Sequence, residues 1–368
     1  MKEMVRMFLW TGLALLLGLK GAIPVSAREA GALNYTALRG GKSINGILSD
    51  GSVGASVTFS PGETLEIRTD SPFSWLYLQW GQVPGTYELV WEGGRMTCGE
   101  NGFLHECIQL QQPVQQVKLV FSSEASLCEA APYPPGELPA WVQRWEPPCE
   151  KADLLVFPTH ADDDALYFGA LISYCTKYLG WAVQTAFFTN HPTEPVRSHE
   201  RLDGLWELGV RHYPVVWNAP DWYSNSLEAA RRQYARYDVV GWQVEQIRRF
   251  RPEMVVGHDL NGEYGHGAHQ LNAASLVEAA PLAGDPEVYL DSARKYGVWQ
   301  TPQTYLHLYD GKQLPLDVNQ TLPEDGRTPF EVAQDAYACH KSQQWCRFSV
   351  NQNSSRENCV SFGLYQWQ

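Results

Sequence analysis

Pro132, Pro134, Pro135, Pro139, Pro147 and Pro148 fall within seventeen residues of this 368-residue chain. Each proline fixes φ and removes a backbone donor, so no regular helix or central strand continues through such a stretch. The chain divides there, and its two sides are written in different patterns. Upstream, Ala55–Phe59, Thr64–Arg68, Trp75–Trp80, Tyr87–Trp91 and Val117–Phe121 mostly alternate apolar and polar residues at period two, with Ser60-Pro61-Gly62-Glu63 and Val83-Pro84-Gly85-Thr86 as turns between them. This predicts a small antiparallel β-sandwich over residues 28–130. Residues 131–150 read as a semi-rigid linker. Downstream, over 151–368, strands alternate with helices: strands at Leu154–Phe157, Val183–Phe188, Tyr213–Trp217 and Met254–Val256, and helices at Ala165–Tyr178, Arg197–Leu208 and about Leu227–Phe250. That alternation predicts an α/β fold, a Rossmann-like, mostly parallel sheet with flanking helices and ligands at the carboxyl ends of its strands.

The first residues set the expected compartment. Lys2 and Arg6 precede an apolar run from Met7 to Leu19, and Val25-Ser26-Ala27 offers small residues for cleavage, so residues 1–27 read as an export signal. A membrane anchor needs about 20 apolar residues, and Lys20 ends this run before that length. The protein is expected to be secreted, with no stable membrane span. The eight cysteines then read as disulfide partners, Cys98 with Cys107 being close enough in sequence to staple one hairpin. Net charge is −13, and loss of residues 1–27 makes it −15. A surface so poor in clustered Lys and Arg excludes a nucleic-acid partner.

Chemistry concentrates after two strands. Pro158-Thr159-His160-Ala161-Asp162-Asp163-Asp164 follows the first strand of the α/β part, and Gly257-His258-Asp259-Leu260-Asn261-Gly262-Glu263-Tyr264-Gly265-His266-Gly267-Ala268-His269 follows a later one. Adjacent carboxylates repel one another unless a cation lies among them, and imidazoles with a carboxylate form the ligand set of catalytic zinc, which keeps one position open. A single divalent ion, zinc by ligand type, is therefore expected; another divalent metal satisfies the same reading.

Residues 154–309 resemble the LmbE-like, or PIG-L, N-acetylglucosamine deacetylases, whose mark is a His-Pro-Asp-Asp-Glu segment after the first strand and a Tyr-Gly-His-Pro-Asp-His segment after a later one. Arg197-Ser198-His199-Glu200 with Glu207-Leu208-Gly209-Val210 resembles that family's Arg-x-x-Glu helix. Arg251-Pro252-Glu253-Met254-Val255-Val256 resembles its strand into the second motif, and Trp299–Tyr309 and Ala338–Gln343 match later stretches more loosely. The resemblance implies a metal-dependent hydrolase of a linear amide: a secreted zinc de-N-acetylase acting on an N-acetylated amino sugar or glycan through a metal-activated water. It implies His160, Asp163 and His269 as metal ligands, Asp162 as general base, and His266 and Tyr264 at the oxyanion or leaving amine. Arg197 falls on a substrate-binding position, Asp259 and Asn261 are further substrate-binding candidates, and Asp164 stands behind the ligands.

The chain departs from the pattern at three places. Ala161 replaces the motif proline, Asp164 replaces the glutamate, and Gly267-Ala268 replaces Pro-Asp, which leaves Asp259 or Glu263 as possible partners for His266. Those departures motivate the alternatives: a non-catalytic carbohydrate-binding protein with a structural metal, or a zinc amidase or esterase on a non-sugar substrate. His191 and His199 are either cleft residues or ordinary loop and helix histidines, and His258 either lines the site or, as the favoured reading, is a strand-end histidine satisfied by backbone. Trp75, Trp80 and Trp91 are expected in the sandwich core, with a glycan-stacking platform as the other reading. Trp217, Trp222 and Tyr223 are open between core and substrate wall.

Overall fold

The computed structural model describes residues 31–323, 326–355 and 357–367. The expected export signal at 1–27 lies outside the described residues. Among those described, no helix is long and apolar enough to cross a membrane.

The first part is antiparallel, as its period-two pattern predicts. Its strands are β1 (Tyr35–Arg39), β2 (Lys42–Ser43), β3 (Val57–Phe59), β4 (Thr64–Trp80), β5 (Tyr87–Trp91), β6 (Gly94–Cys98), β7 (His105–Phe121) and β8 (Ala125–Tyr133), with a short helix α1 (Asn45–Leu48) after β2. They form one sheet in the order β2-β1-β4-β7-β5-β6, with β8 joining β4 to β3. The two stretches expected as separate strands at 64–68 and 75–80 are halves of β4. One half pairs with β1 and the other with β8, while β7 pairs along both, and the register shifts between Arg68 and Trp75 where the partners change. Such shifts bend a strand and let one sheet fold over its own core. Trp80 and Trp91 lie in that core with Phe59, Tyr87 and Phe121, which leaves no exposed platform at those two tryptophans.

The proline-rich stretch does not behave as a spacer. Val142, Gln143, Trp145 and Cys149 are buried. Its apolar residues bring it onto the body of the protein: Trp145 meets Trp206 and Tyr213 edge-on, and Tyr213 stacks on Phe103 of the loop entering β7. One apolar cluster consequently runs from the antiparallel sheet into the α/β part.

The second sheet contains β9 (Leu154–Val156), β10 (Val183–Asn190), β11 (Val215–Pro220), β12 (Met254–Gly257), β13 (Gln303–His307) and β14 (Phe362–Leu364) in the order β11-β10-β9-β12-β13-β14. All its pairings are parallel except β13 with β14. The helices are α2 (Asp163–Leu166), α3 (Gly169–Ser173, running into a π turn to Tyr178), α4 (Val196–Glu207), α5 (Leu227–Gln233), α6 (Val239–Phe250), α7 (Gly267–Leu282), α8 (Leu290–Tyr296) and α9 (Pro329–Cys339). The helix expected over 227–250 is two: Asp238 accepts from the Gly241 N–H and caps a fresh start at α6. Strand order reverses between β9 and β12, and a crevice opens outside the carboxyl ends of the strands at such a switch point. The two polar clusters leave from those two strands.

Candidate metal centre

Buried carboxylates and imidazoles meet at the switch point. The Asp163 carboxylate is fixed from behind, because its Oδ2 accepts the backbone N–H groups of Thr159 at 3.0 Å and His160 at 2.6 Å. Its Oδ1 stands 3.3 Å from His269 Nε2, and His160 Nδ1 stands 3.3 Å from Asp163 Oδ2. His160 Nδ1 and His269 Nε2 face each other at 2.9 Å. Ligand atoms on a zinc tetrahedron with bonds of about 2.0–2.1 Å lie roughly 3.3 Å apart, so this spacing suits one ion.

The far sides of both rings are also assigned. His269 Nδ1 faces Glu263 Oε2 at 2.7 Å, and His160 Nε2 faces Asp221 Oδ1 at 3.3 Å. A carboxylate on the outer nitrogen fixes the tautomer, leaving the inner nitrogen's lone pair for a metal. The chemistry of the donor set therefore fits a divalent ion. Burial alone disfavours charge on these rings, but Asp221 and Asp163 raise His160 to about 9, and Asp163 and Glu263 raise His269 to about 10. Burial likewise works against ionised Asp163, yet His269, His160 and His258 hold it well below the usual carboxylate range. His266 offers a further nitrogen within 4.8 Å of the ligand atoms of His160 and His269, so a three-histidine set is a second way to hold the ion.

Glu263 organises the back of the site. It is fully buried at φ 52°, a left-handed conformation that costs a non-glycine residue about 1–2 kcal/mol. The tight turn before it requires Gly262, whose Cβ would meet the His266 carbonyl oxygen at 2.5 Å. In that pose Glu263 Oε1 accepts from His258 Nδ1 and the Asp259 N–H and faces His307 Nδ1 at 3.0 Å. His258 Nε2 accepts the Thr159 N–H, which is the expected backbone partner on one nitrogen only; the same nitrogen stands 3.4 Å from Asp163 Oδ2, so His258 also borders the cluster, and its ring stacks on His269 at 4.2 Å. Glu263 is thus committed to three histidines, none of them His266.

The cavity in front of the cluster has a volume of about 260 Å³. Asp162, Arg197, Tyr264 and His266 line it with His160 and Asp163, and so do Asp221, Tyr223, Gln343, Cys346 and Phe348. Burial, and then Asp163, push Asp162 up to about 7 against the pull of Arg197, whose guanidinium reaches Asp162 Oδ1 at 3.3 Å and the Ala161 carbonyl at 3.2 Å. His266 is pushed down to about 3 by burial and then by His160 and His269, and its buried Nδ1 has no hydrogen-bond partner among the described residues. Both influences favour its neutral form.

Three candidates take other places. Asp259 and Asn261 do not line the cavity; the Asn261 amide donates to Asp259 Oδ1, and the Asp259 carbonyl accepts the Gly262 N–H, so both close the turn that presents Glu263. Asp164 touches none of the proposed ligands: neither carboxylate oxygen has a hydrogen-bond partner among the described residues, and burial, then Asp162, raise it well above the carboxylate range. It is the second residue of α2, directly after Asp163. Asp221 and His307 were not singled out in the sequence. Asp221 follows β11 at a strand end, which was the available signal; His307, at the end of β13, lies in the loosely matching stretch Trp299–Tyr309.

The Gly267-Ala268 departure has a steric cause. The Gly267 N–H donates to the Ser224 carbonyl at 2.8 Å, and a Cβ there would meet the Ser226 carbonyl oxygen at 2.3 Å, so the 224–226 loop excludes proline. Ala268 is fully buried in the apolar cluster beneath α7, where a carboxylate would be desolvated. Trp217 stacks on Trp242 in the same cluster, whereas Tyr223 is 75% exposed at the cavity mouth.

The acid and imidazole cluster thus sits at the switch point of a mostly parallel α/β sheet, on the two segments whose motifs resemble the LmbE-like deacetylases. No protein-family model matches the chain. Over 212 residues, half of this chain and 68% of the relative, it is 26% identical to the 1D-myo-inositol 2-acetamido-2-deoxy-alpha-D-glucopyranoside deacetylase of Mycobacterium leprae. It is 28% identical over 182 residues to the protein of the same name from Mycolicibacterium vanbaalenii, spanning 42% of this chain and 59% of that one. Among solved structures, the N,N'-diacetylchitobiose deacetylase from Pyrococcus horikoshii aligns over 58% of this chain and 84% of its own with a TM-score of 0.42 and 16% identity. The two sequence relatives are both named as deacetylases of an N-acetylglucosamine-inositol.

Proposed function

We propose that the protein is a zinc-dependent de-N-acetylase that hydrolyses the acetamide of an N-acetylated amino sugar within a glycan or glycoconjugate. The observation that carries this reading is the convergence of His160 Nδ1, His269 Nε2 and Asp163, with the outer ring nitrogens held by Asp221 and Glu263. An amide is a poor electrophile, and bound zinc supplies an acidified water and a positive charge beside the developing oxyanion.

The chain's own residues divide the rest. Asp162, at about 7, is poised to accept a proton near neutral pH and pass it towards the departing amine. His266, neutral and in the cavity wall, is suited to donate a hydrogen bond to the oxyanion, with Tyr264 beside it at a ring distance of 5.7 Å. Arg197 anchors Asp162 and presents its guanidinium to substrate hydroxyls. The amine product is a cation, and Asp221 at the same wall would attract it.

The pattern of residues 1–27 supports export, and an oxidising destination would suit disulfides among the cysteines. Residues 28–130 are read as an accessory β module of the catalytic part at 151–368, open to glycan contact. The test is acetate release from N-acetylglucosamine-containing oligosaccharides, lost with a chelator, restored by zinc, and abolished in Asp162→Ala. Full activity in that variant would refute the mechanism.

A further inference from the structure

Helix α4 carries Arg197 into the cavity on one face and is clamped on another by the antiparallel sheet. His199 and Asp203, one helical turn apart, share that second face. His105, the first residue of β7, is completely buried, and its Nε2 lies 2.8 Å from His199 Nδ1. Its other nitrogen lies 2.7 Å from Gln143 Oε1. That oxygen also accepts the Trp145 indole N–H, and the Gln143 amide nitrogen donates to Asp203 Oδ1 at 2.7 Å, so the glutamine's orientation is fixed. His105 therefore donates from Nδ1 to Gln143 and turns Nε2 to His199, with Gln79 Nε2 at 3.2 Å on the same nitrogen. A buried polar network of this kind holds its members in one arrangement, because any shift leaves a desolvated group unpaired.

We propose that His105 is a positioning residue for the active site: through His199 it sets the placement of α4, and thereby the guanidinium of Arg197 on Asp162. The antiparallel sheet is on this account a part of the catalytic scaffold in addition to being a module open to glycan contact. The next residue of the same helix turn is tied down as well, since Glu200 accepts from the Ser342 N–H and hydroxyl beside Gln343 of the cavity wall. The inference rests on the proposed hydrolase reading for the role of Arg197, but the placement of Arg197 can be read without turnover.

The experiment uses the full chain in five forms: wild type, His105→Ala, His199→Ala, the double variant, and His105→Gln, whose amide oxygen can replace Nε2 as acceptor. Leu65→Ala, in the sheet core away from the network, controls for lost stability. Two readouts are taken: KM and kcat for acetate release, and the Arg197 Nε–H resonance, assigned by its disappearance in Arg197→Lys. His105→Ala is expected to raise KM about tenfold and to move the Arg197 resonance, since misplacement by about 1 Å can cost up to 10²-fold. His199→Ala should do the same, the double variant should add little to either single one, and His105→Gln should restore most of the loss. An Arg197 resonance and KM that stay put in His105→Ala, or that move equally in Leu65→Ala, would overturn the proposal. Absence of acetate release by every form would remove the hydrolase reading and leave the resonance to decide the positioning on its own.

Discussion

Glu263 Oε2 lies 2.7 Å from His269 Nδ1, so the carboxylate behind the cluster fixes which nitrogen His269 turns to a metal. Such partners typically govern metal affinity by about 10–100-fold. Glu263→Gln, which keeps the shape and loses the charge, is expected to weaken zinc binding by about that factor in a competition titration with a chromophoric chelator. Glu263→Ala is expected also to lower stability, because His258 and His307 lose the same acceptor.

Gly267 fits against the 224–226 loop and Ala268 in an apolar cluster, where proline and aspartate would not. Gly267→Pro removes the bond to Ser224 and drives a ring into the Ser226 carbonyl, and overpacking of this kind costs about 1–3 kcal/mol. Restoring the family's Pro-Asp pair is thus expected to lower the denaturant midpoint without raising turnover, measured by urea unfolding alongside acetate release.

Trp80 is wholly buried against Tyr87 and Phe121, and its indole N–H donates to Glu106 at 3.1 Å. Trp80→Ala is expected to destabilise the protein by about 3–5 kcal/mol through the cavity it leaves. Calorimetric melting checks this, and an unchanged melting temperature would place Trp80 outside the core.

Glu129 gives the antiparallel sheet a pH response. Burial, reinforced by Asp50 beside it, pushes its carboxyl from an ordinary value of 4.5 up to about 8. An acid raised on folding favours the folded state while protonated, so its contribution is complete below the unfolded value and is lost as pH rises through the folded one. Stability should fall between about pH 4.5 and 8, and Glu129→Gln should flatten that fall, as read from denaturant midpoints at about pH 5 and about pH 9.

The α/β half was legible because its rules are local and chiral: buried strands alternating with amphipathic helices force a parallel sheet, and polar residues after β9 and β12 had to meet at its switch point. His160, Asp162, Asp163, His266 and His269 are therefore placed together by the sequence pattern alone. The antiparallel half was read in pieces, since which strand pairs with which depends on contacts far apart in sequence; β4 was split at its bend, and β1, β2, β6 and β8 were passed over. The partners of the cluster were hidden for the same reason. Asp221 and His307 reach it from β11 and β13, and Asp259 and Asn261, close in sequence to the histidines, serve the turn instead.

The central claim is that His160, Asp163 and His269 hold a metal with which Asp162 works as the base. The most direct measurement titrates zinc into metal-stripped protein and follows bound zinc and acetate release from an N-acetylglucosamine oligosaccharide together, in wild type and in Asp162→Ala. Acetate release rising with zinc to one equivalent in wild type, and absent from Asp162→Ala although zinc still binds, is the predicted result. Release that persists without metal, or that is equal in the two proteins, would contradict the account.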